Sequence, residues 1–356
     1  MAMTTAAYQP PYTLTPAILR LAAEIGEAIG RYTVLAESRL TPRLRRENRI
    51  RTIQASLAIE NNTLSLAQVT AVIEGRRVLG DPREIQEVRN AFAAYERLTE
   101  WRPPAVEDLL AAHGQLMSGL VDEAGRFRSG GVGVFRGKQM VHMAPPAELV
   151  PAQAADLLLW LERTQEHPLV ASCVVHYELE FIHPFADGNG RMGRLWQTLI
   201  LRQWRPLLAF LPMETVIRDR QEAYYSALAE SDQRADSAPF IEFMLAALLE
   251  SLLEFLRKAA AADHAADQVS DQVSDQVGDQ VGQVIEALAG QELGRAALMA
   301  ALGFVHRPSF RVHYLDPALS GGWIERTQPE APRSPSQRYR LTEKGRVWLR
   351  RRRENG

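Results

Sequence analysis

Across roughly the first 265 residues, apolar side chains recur at three- and four-residue spacing, a period that gathers them on one face of a helix and scatters them on a strand. That pattern confines most of the chain to helix packed on helix. Asp81-Pro82 predicts a helix start, with Asp81 as N-cap and Pro82 at the first helical position. Further helices are predicted over about 105–120, 147–163, 169–182, 188–205, 219–230 and 238–262. One segment departs from the period. Between Gly125 and Pro146 the glycines cluster at Gly130, Gly131, Gly133 and Gly137 and β-branched residues alternate, which predicts a β-hairpin or flap.

At 356 residues the chain is longer than one hydrophobic core comfortably serves, so two domains are expected. After the long helix, Asp267-Gln268-Val269-Ser270 is followed by three near copies ending at Gly282. A four-residue repeat lags the helical turn, so its valines drift around the axis, and the segment reads as a linker, helical or loose. Short helical patterns at 284–288, 295–302 and 308–315 then lead to two strand-like stretches, 321–325 and 338–342, and a last helix from Glu343. Three helices and a two-stranded wing describe a winged helix-turn-helix. The expected organisation is therefore a mainly α fold: an N-terminal helical region (1–80), a helical core with the flap (81–266), a linker (267–282) and a winged helix (283–356). From Gly282 to Gly356 there are 13 Arg plus Lys against 7 Asp plus Glu, a balance of +6 in a chain whose net charge is −2, so the two modules are expected to meet different partners.

Hydrophobic content of 46% and charged content of 24% suit a water-soluble globular protein. No run of 18 apolar residues occurs, residues 1–16 lack the basic start and apolar stretch of a secretory signal, and Cys173 is the lone cysteine. Neither an internal disulfide nor a cysteine metal cluster can form, and a reducing cytoplasm is the expected setting, away from membranes.

The densest chemistry lies in His183-Pro184-Phe185-Ala186-Asp187-Gly188-Asn189-Gly190-Arg191-Met192-Gly193-Arg194. Gly188 and Gly190 let backbone N–H groups turn toward a ligand where a helix begins and its dipole favours an anion, a phosphate cradle. Arg191 and Arg194, three apart on that helix, can reach one polyphosphate. Asp187 offers a hard oxygen suited to Mg²⁺, which keeps most of its water and bridges phosphates. His183 is the group in the loop able to take a proton near neutral pH. Phosphoryl or nucleotidyl transfer is the chemistry this set describes.

The run resembles the signature of the Fic (filamentation induced by cAMP) family, His-x-Phe-x-(Asp/Glu)-Gly-Asn-Gly-Arg-x-x-Arg, at every specified position. The resemblance implies a helical adenylyltransferase that uses ATP and Mg²⁺ to place AMP on a Ser, Thr or Tyr hydroxyl of a target protein. His183 would be the catalytic base and Asp187 the metal ligand. Gly188, Asn189, Gly190, Arg191 and Arg194 would hold the phosphates, with Tyr225 and Leu228, beside Tyr224, on the adenine side. Val132, Gly133 and Val134 would belong to a flap that takes the target backbone by strand addition. Ser56-Leu57-Ala58-Ile59-Glu60-Asn61 resembles the family's inhibitory motif, (Ser/Thr)-x-x-x-Glu-(Gly/Asn). Ser56 and Glu60 share one helical face, and the resemblance implies that Glu60 competes with ATP for Arg194.

Other readings stand beside this one. Tyr224 and Tyr225 also fit a core, and His176, inside an apolar helix, reads as structural. The same fold could remove AMP, or the core could sense nucleotide within a DNA-binding regulator. Arg307, Arg311, His313, Arg338, Arg340 and Arg350 to Arg353 could meet DNA phosphates or form the solvated face of a protein-docking module. The resemblance to the family also leaves room for a homodimer through the helical core.

Overall fold

A computed structural model describes residues 8–36, 42–136, 139–275, 279–304, 307–328, 330, 334 and 336–354. The chain divides into two compact units, Met1–Ala259 and Ala260–Gly356.

The first unit is helical. Its elements are α1 (Pro16–Ala36), α2 (Pro42–Ile59), α3 (Leu66–Ile73), α4 (Pro82–Glu96), α5 (Val106–Leu116), the strands β1 (Gly133–Arg136) and β2 (Gln139–Met143), then α6 (Val150–Arg163), α7 (Pro168–Ile182), α8 (Asn189–Trp204), α9 (Met213–Asp219), α10 (Gln221–Arg234) and the part of α11 (Ala238–Asp275) up to Ala259. Asp81 caps α4 by accepting the Arg83 N–H at 2.7 Å, with Pro82 at the first helical position. Helix α7 lies at the centre. Every residue from Leu169 to Leu179 is buried, so its apolar side chains meet neighbours all around, with α8 packed along it. Trp196 and Leu195 of α8, Phe185 and Phe240 fill the space beside it. The Trp196 indole donates to the Pro103 carbonyl at 3.0 Å, which satisfies its one polar atom.

The flap is a two-stranded antiparallel hairpin, β1 with β2, with an irregularity in register between Val134 and Phe135. Gly137 lies outside the described residues, as do the side chains of Gly133 to His142. The repeated segment is helical where it is described: α11 runs on to Asp275 and α12 (Asp279–Ala287) follows. Its Asp, Gln, Val and Ser residues carry no strong helix breaker before Gly278.

In the second unit α12, β3 (Leu293–Gly294), α13 (Arg295–Ala301), α14 (Arg307–Phe310), α15 (Asp316–Ser320), β4 (Ile324–Arg326), β5 (Arg338–Leu341) and α16 (Glu343–Glu354) follow in order. Val284, Leu288, Leu298, Phe310, Trp323 and Tyr339 make its core. Two features differ from the sequence expectation. The sheet expected to have two strands has three, in the order β3-β5-β4, because Leu293 and Gly294 pair with Tyr339 and Arg338. A two-residue strand carries no alternation from which it could be read. The helix expected over 308–315 closes as a π-turn at Arg311–Leu315, and α15 begins at once.

Candidate active site

The signature loop joins the C-terminus of α7 to the N-terminus of α8. Its first residue, His183, ends α7 in the left-handed region (φ 50°, ψ 62°), which turns the chain sharply out of the helix. The His183 ring presents Nδ1 to the Glu180 carbonyl at 3.3 Å, an arrangement in which Nδ1 carries a proton, so that in the neutral ring the lone pair falls on Nε2. Gly188 also has positive φ (86°), and a Cβ there would lie 2.7 Å from Met117 Sδ, so glycine is required on both counts. Asn189 is 3% exposed and spends both ends of its amide on Phe185, accepting from its N–H and donating to its carbonyl, each at 2.9 Å. Through these two bonds the amide staples the loop.

Asp187 Oδ1 accepts from the Gly188 N–H at 2.6 Å and from Arg191 at 2.9 Å, and Oδ2 accepts from Arg83 at 3.3 Å. Arg191, 5% exposed, is held from the other side by Glu87 of α4 at 3.3 Å. Arg194 has no exposed side-chain surface. Its Nε donates to Ser56 Oγ at 3.0 Å, and its Nη2 donates to the Ser56 carbonyl at 3.0 Å and to Glu60 Oε1 at 2.7 Å. Burial opposes its charge, but Glu60, Tyr224 and Glu180 outweigh that and hold its pKa above the ordinary arginine value. Nη1 of the same fork is buried with no hydrogen-bond partner. Glu60 sits at the end of α2, where Asn61 turns the chain with φ 68°, a conformation asparagine tolerates better than most residues. The Glu60 side chain keeps 31% of its surface exposed. Gly190 faces this pair so closely that a Cβ would come within 2.4 Å of Glu60 Oε1.

The structure thus brings His183, Asp187, Gly188, Asn189, Gly190, Arg191 and Arg194 together with Ser56 and Glu60. Tyr225 is half-buried, its hydroxyl pKa raised by burial and then by Glu60, while Leu228 packs partly buried against the core. Tyr224 belongs to the core: it is 1% exposed and donates to Glu180 Oε1 at 3.2 Å. His176 is buried, its Nδ1 2.7 Å from Gln197 Oε1 and its Nε2 3.2 Å from the Tyr224 hydroxyl, a structural role. Val132 keeps partial exposure at the flap entrance, and the backbones of Gly133 and Val134 pair with Met143 and His142.

Four side chains that sequence reasoning left without a role take part. Glu87 and Arg83 complete the ion pairs around Arg191 and Asp187. Burial alone would raise the pKa of Glu180, but His176, His183 and Arg194 keep it below the usual carboxylate range. His113 of α5 stacks on Phe185 at 3.7 Å, accepts the Gly125 N–H on Nδ1 at 2.9 Å, and so presents Nε2–H to the Asp187 carbonyl at 3.0 Å. Each is an ordinary residue on an ordinary helix until the fold assembles it; only the partner makes it visible.

Burial lowers the pKa of His113 to about 4, an effect the Asp187 carbonyl only partly offsets. The unfolded chain therefore takes up the proton first as pH falls below about 6.5, and His113 withdraws up to about 3 kcal/mol of stability between there and pH 4. Glu178 and Glu214, whose carboxyls burial pushes up to about 7, act with the opposite sign. The histidine's share is therefore read as a difference: denaturation of the parent and of His113→Gln is expected to diverge most near neutral pH and to converge toward pH 4.

Gly193 supplies another stability prediction. A Cβ there would lie 2.4 Å from His176 Cδ2, and that ring is pinned by Gln197. The helix propensity gained by Gly193→Ala, about 1 kcal/mol, is smaller than the overpacking penalty of about 1–3 kcal/mol. Thermal unfolding is expected to show a lowered Tm.

Among the described residues no group of three or more His, Cys, Asp and Glu could hold a metal ion. The site still suits Mg²⁺, which needs one hard carboxylate when phosphates and water supply the other ligands, and the Asp187 side chain is 42% exposed.

Comparison with known proteins agrees with this construction. The Fic/DOC family matches residues 103–201, and the C-terminal domain of Fic-like proteins matches residues 279–342. A protein adenylyltransferase, fic-1 of Caenorhabditis briggsae, is 33% identical over 223 residues, covering 59% of this chain and 42% of the relative, so the chain spans less than half the length of that protein. Among solved structures, Fic-1 (residues 134–508) from C. elegans is 25% identical, with a TM-score of 0.59, over 69% of this chain and 73% of that one. A Fic family protein from Desulfovibrio desulfuricans G20 is 68% identical, with a TM-score of 0.71, over 94% of this chain and 99% of that one. With its signature loop intact between two packed helices and such a relative matched nearly end to end, the chain belongs to the Fic family.

Proposed function

We propose that the chain is an ATP-dependent protein adenylyltransferase held back by its own Glu60. The observation that carries this reading is the occupied fork of Arg194: in a cradle otherwise shaped for phosphate, the deepest guanidinium is filled by Ser56 and Glu60. A carboxylate there competes with a nucleotide phosphate for the same donors. The named adenylyltransferase relatives support the transfer, and the 42% coverage of them makes it a proposal for this chain.

In the reaction a Ser, Thr or Tyr hydroxyl of the target attacks the α-phosphorus of ATP, the oxygen–phosphorus bond to AMP forms, and pyrophosphate leaves. His183 Nε2 takes the hydroxyl proton. Backbone N–H groups of Gly188 and Gly190 at the start of α8, with Arg191 and Arg194, bind the phosphates and neutralise their charge. Asp187 would hold Mg²⁺, which when bound would supply further neutralisation of phosphate charge. Tyr225 and Leu228 orient the base, and the flap from Val132 to Val134 aligns the target backbone.

For the C-terminal unit we favour protein docking over DNA binding. Several of the arginines that could meet phosphates already face carboxylates: Arg340 with Glu325 at 2.7 Å, Arg311 with Asp316 at 3.1 Å, Arg350 with Glu343 at 3.3 Å and Arg352 with Glu286 at 3.0 Å. The test of the main reading is isotopic. Incubation with ATP labelled at the α-phosphate is expected to label protein, whereas label at the γ-phosphate should stay in solution. Protein labelled from the γ-position would make the chain a kinase and overturn the proposal.

A further inference from the structure

Arg128 precedes the flap, and neither the signature nor the inhibitory motif includes it. Its residue surface is 3% exposed. Nε donates to the His183 carbonyl at 2.7 Å, Nη1 to the Gly130 carbonyl at 2.8 Å, and Nη2 to the carbonyls of Pro145 at 2.6 Å and Ile182 at 3.3 Å. The Arg128 backbone N–H reaches the Pro184 carbonyl at 3.0 Å. These acceptors belong to three pieces of chain: the end of α7 with its catalytic histidine, the entry to the flap, and the exit from it. Where the two flap ends meet, the Ala144 N–H donates to the Val132 carbonyl at 3.3 Å.

A buried cation usually faces a carboxylate. Here every hydrogen bond of the guanidinium goes to a backbone carbonyl, with Glu148 acting only as a nearby counter-charge, an arrangement that suits the planar fork of arginine and that three donors on the single nitrogen of lysine reproduce poorly. One of those donors pins the carbonyl of His183, a residue whose left-handed backbone costs about 1–2 kcal/mol unless neighbours hold it.

We propose that Arg128 is a positioning residue that fixes the base of the flap to the catalytic histidine, so that a hydroxyl carried on the flap arrives in register with His183 Nε2. The proposal rests on the adenylyltransferase reading and adds to it the means by which target docking and proton abstraction share one frame. The phosphate cradle is secured separately, by Asn189 on Phe185 and by the turn at Gly188. Loss of the fork should therefore separate catalysis from nucleotide binding.

The test uses the full chain carrying Glu60→Gly, with Arg128→Lys and Arg128→Met added singly. Arg128→Lys keeps the charge and the apolar stem, and decides the matter if Arg128→Met does not fold. A displacement of about 1 Å at the reacting groups lowers a rate about 100-fold, and kcat for AMP transfer is expected to fall by that order while the Kd for ATP stays within about threefold. A kcat for Arg128→Lys within about threefold of its parent overturns the proposal, as does loss of ATP affinity in step with kcat, which would mark a purely structural role. If the Glu60→Gly parent transfers no AMP, the transferase reading fails, and the mechanical link is judged by hydrogen exchange. Faster exchange at the Ala144 and His183 amides in Arg128→Lys upholds the link, and unchanged exchange at both removes it.

Discussion

Glu60→Gly should raise AMP transfer by about 10- to 100-fold. A charge-assisted hydrogen bond to a buried group contributes about 1.5–3 kcal/mol, and that is the advantage a nucleotide phosphate must overcome while Glu60 Oε1 sits 2.7 Å from Arg194. Removing the carboxylate frees one N–H of Nη2 and leaves Ser56 to keep the guanidinium in place through its hydroxyl on Nε and its carbonyl on Nη2. It also leaves Arg194 buried with Glu180 as a nearby counter-charge, so the variant should be less stable without ATP and recover stability when nucleotide fills the fork. Label transferred from α-labelled ATP, followed alongside Tm with and without ATP and Mg²⁺, reads both effects. Equal labelling of parent and variant would remove Glu60 from any inhibitory role.

In that released background, His183→Ala should lower transfer by about 100- to 10,000-fold, the usual contribution of a positioned general base. ATP affinity should barely change, because the cradle is made by Gly188, Gly190, Arg191 and Arg194, and the His183 ring faces the Glu180 carbonyl. The loss should therefore appear in kcat and leave the ATP Kd within about threefold. Retained turnover would assign the proton to another group and with it overturn the mechanism.

Much of this could be read from the chain alone, and the boundary is physical. Helix period, the Asp81-Pro82 start and the glycine-rich flap are local properties, written in neighbouring residues. The signature loop was legible because so many of its members lie within twelve positions. Ser56 and Glu60 were legible as a pair on one turn, whereas their meeting with Arg194 across more than 130 positions is a property of the fold. His113 and Glu87 gave no signal for the same reason: their partners are backbone groups and side chains on other elements. Asn189 shows the opposite limit, since the spacing placed it correctly and could not say that Phe185 would claim its amide. The strand at Leu293–Gly294 was too short for any periodicity.

Helix α7 has a consequence for how such a protein can diversify. His183, the proposed base, is attached to the end of the segment whose every face is packed from Leu169 to Leu179, where almost any substitution disturbs the core. The flap is a hairpin between α5 and α6 whose two ends are tied by Arg128 through the Gly130 and Pro145 carbonyls. On the adenylyltransferase reading, chemistry is thereby anchored where change is least tolerated and target contact lies on a surface hairpin. New protein substrates would then be acquired by altering the strands of that hairpin while the transfer machinery is inherited intact.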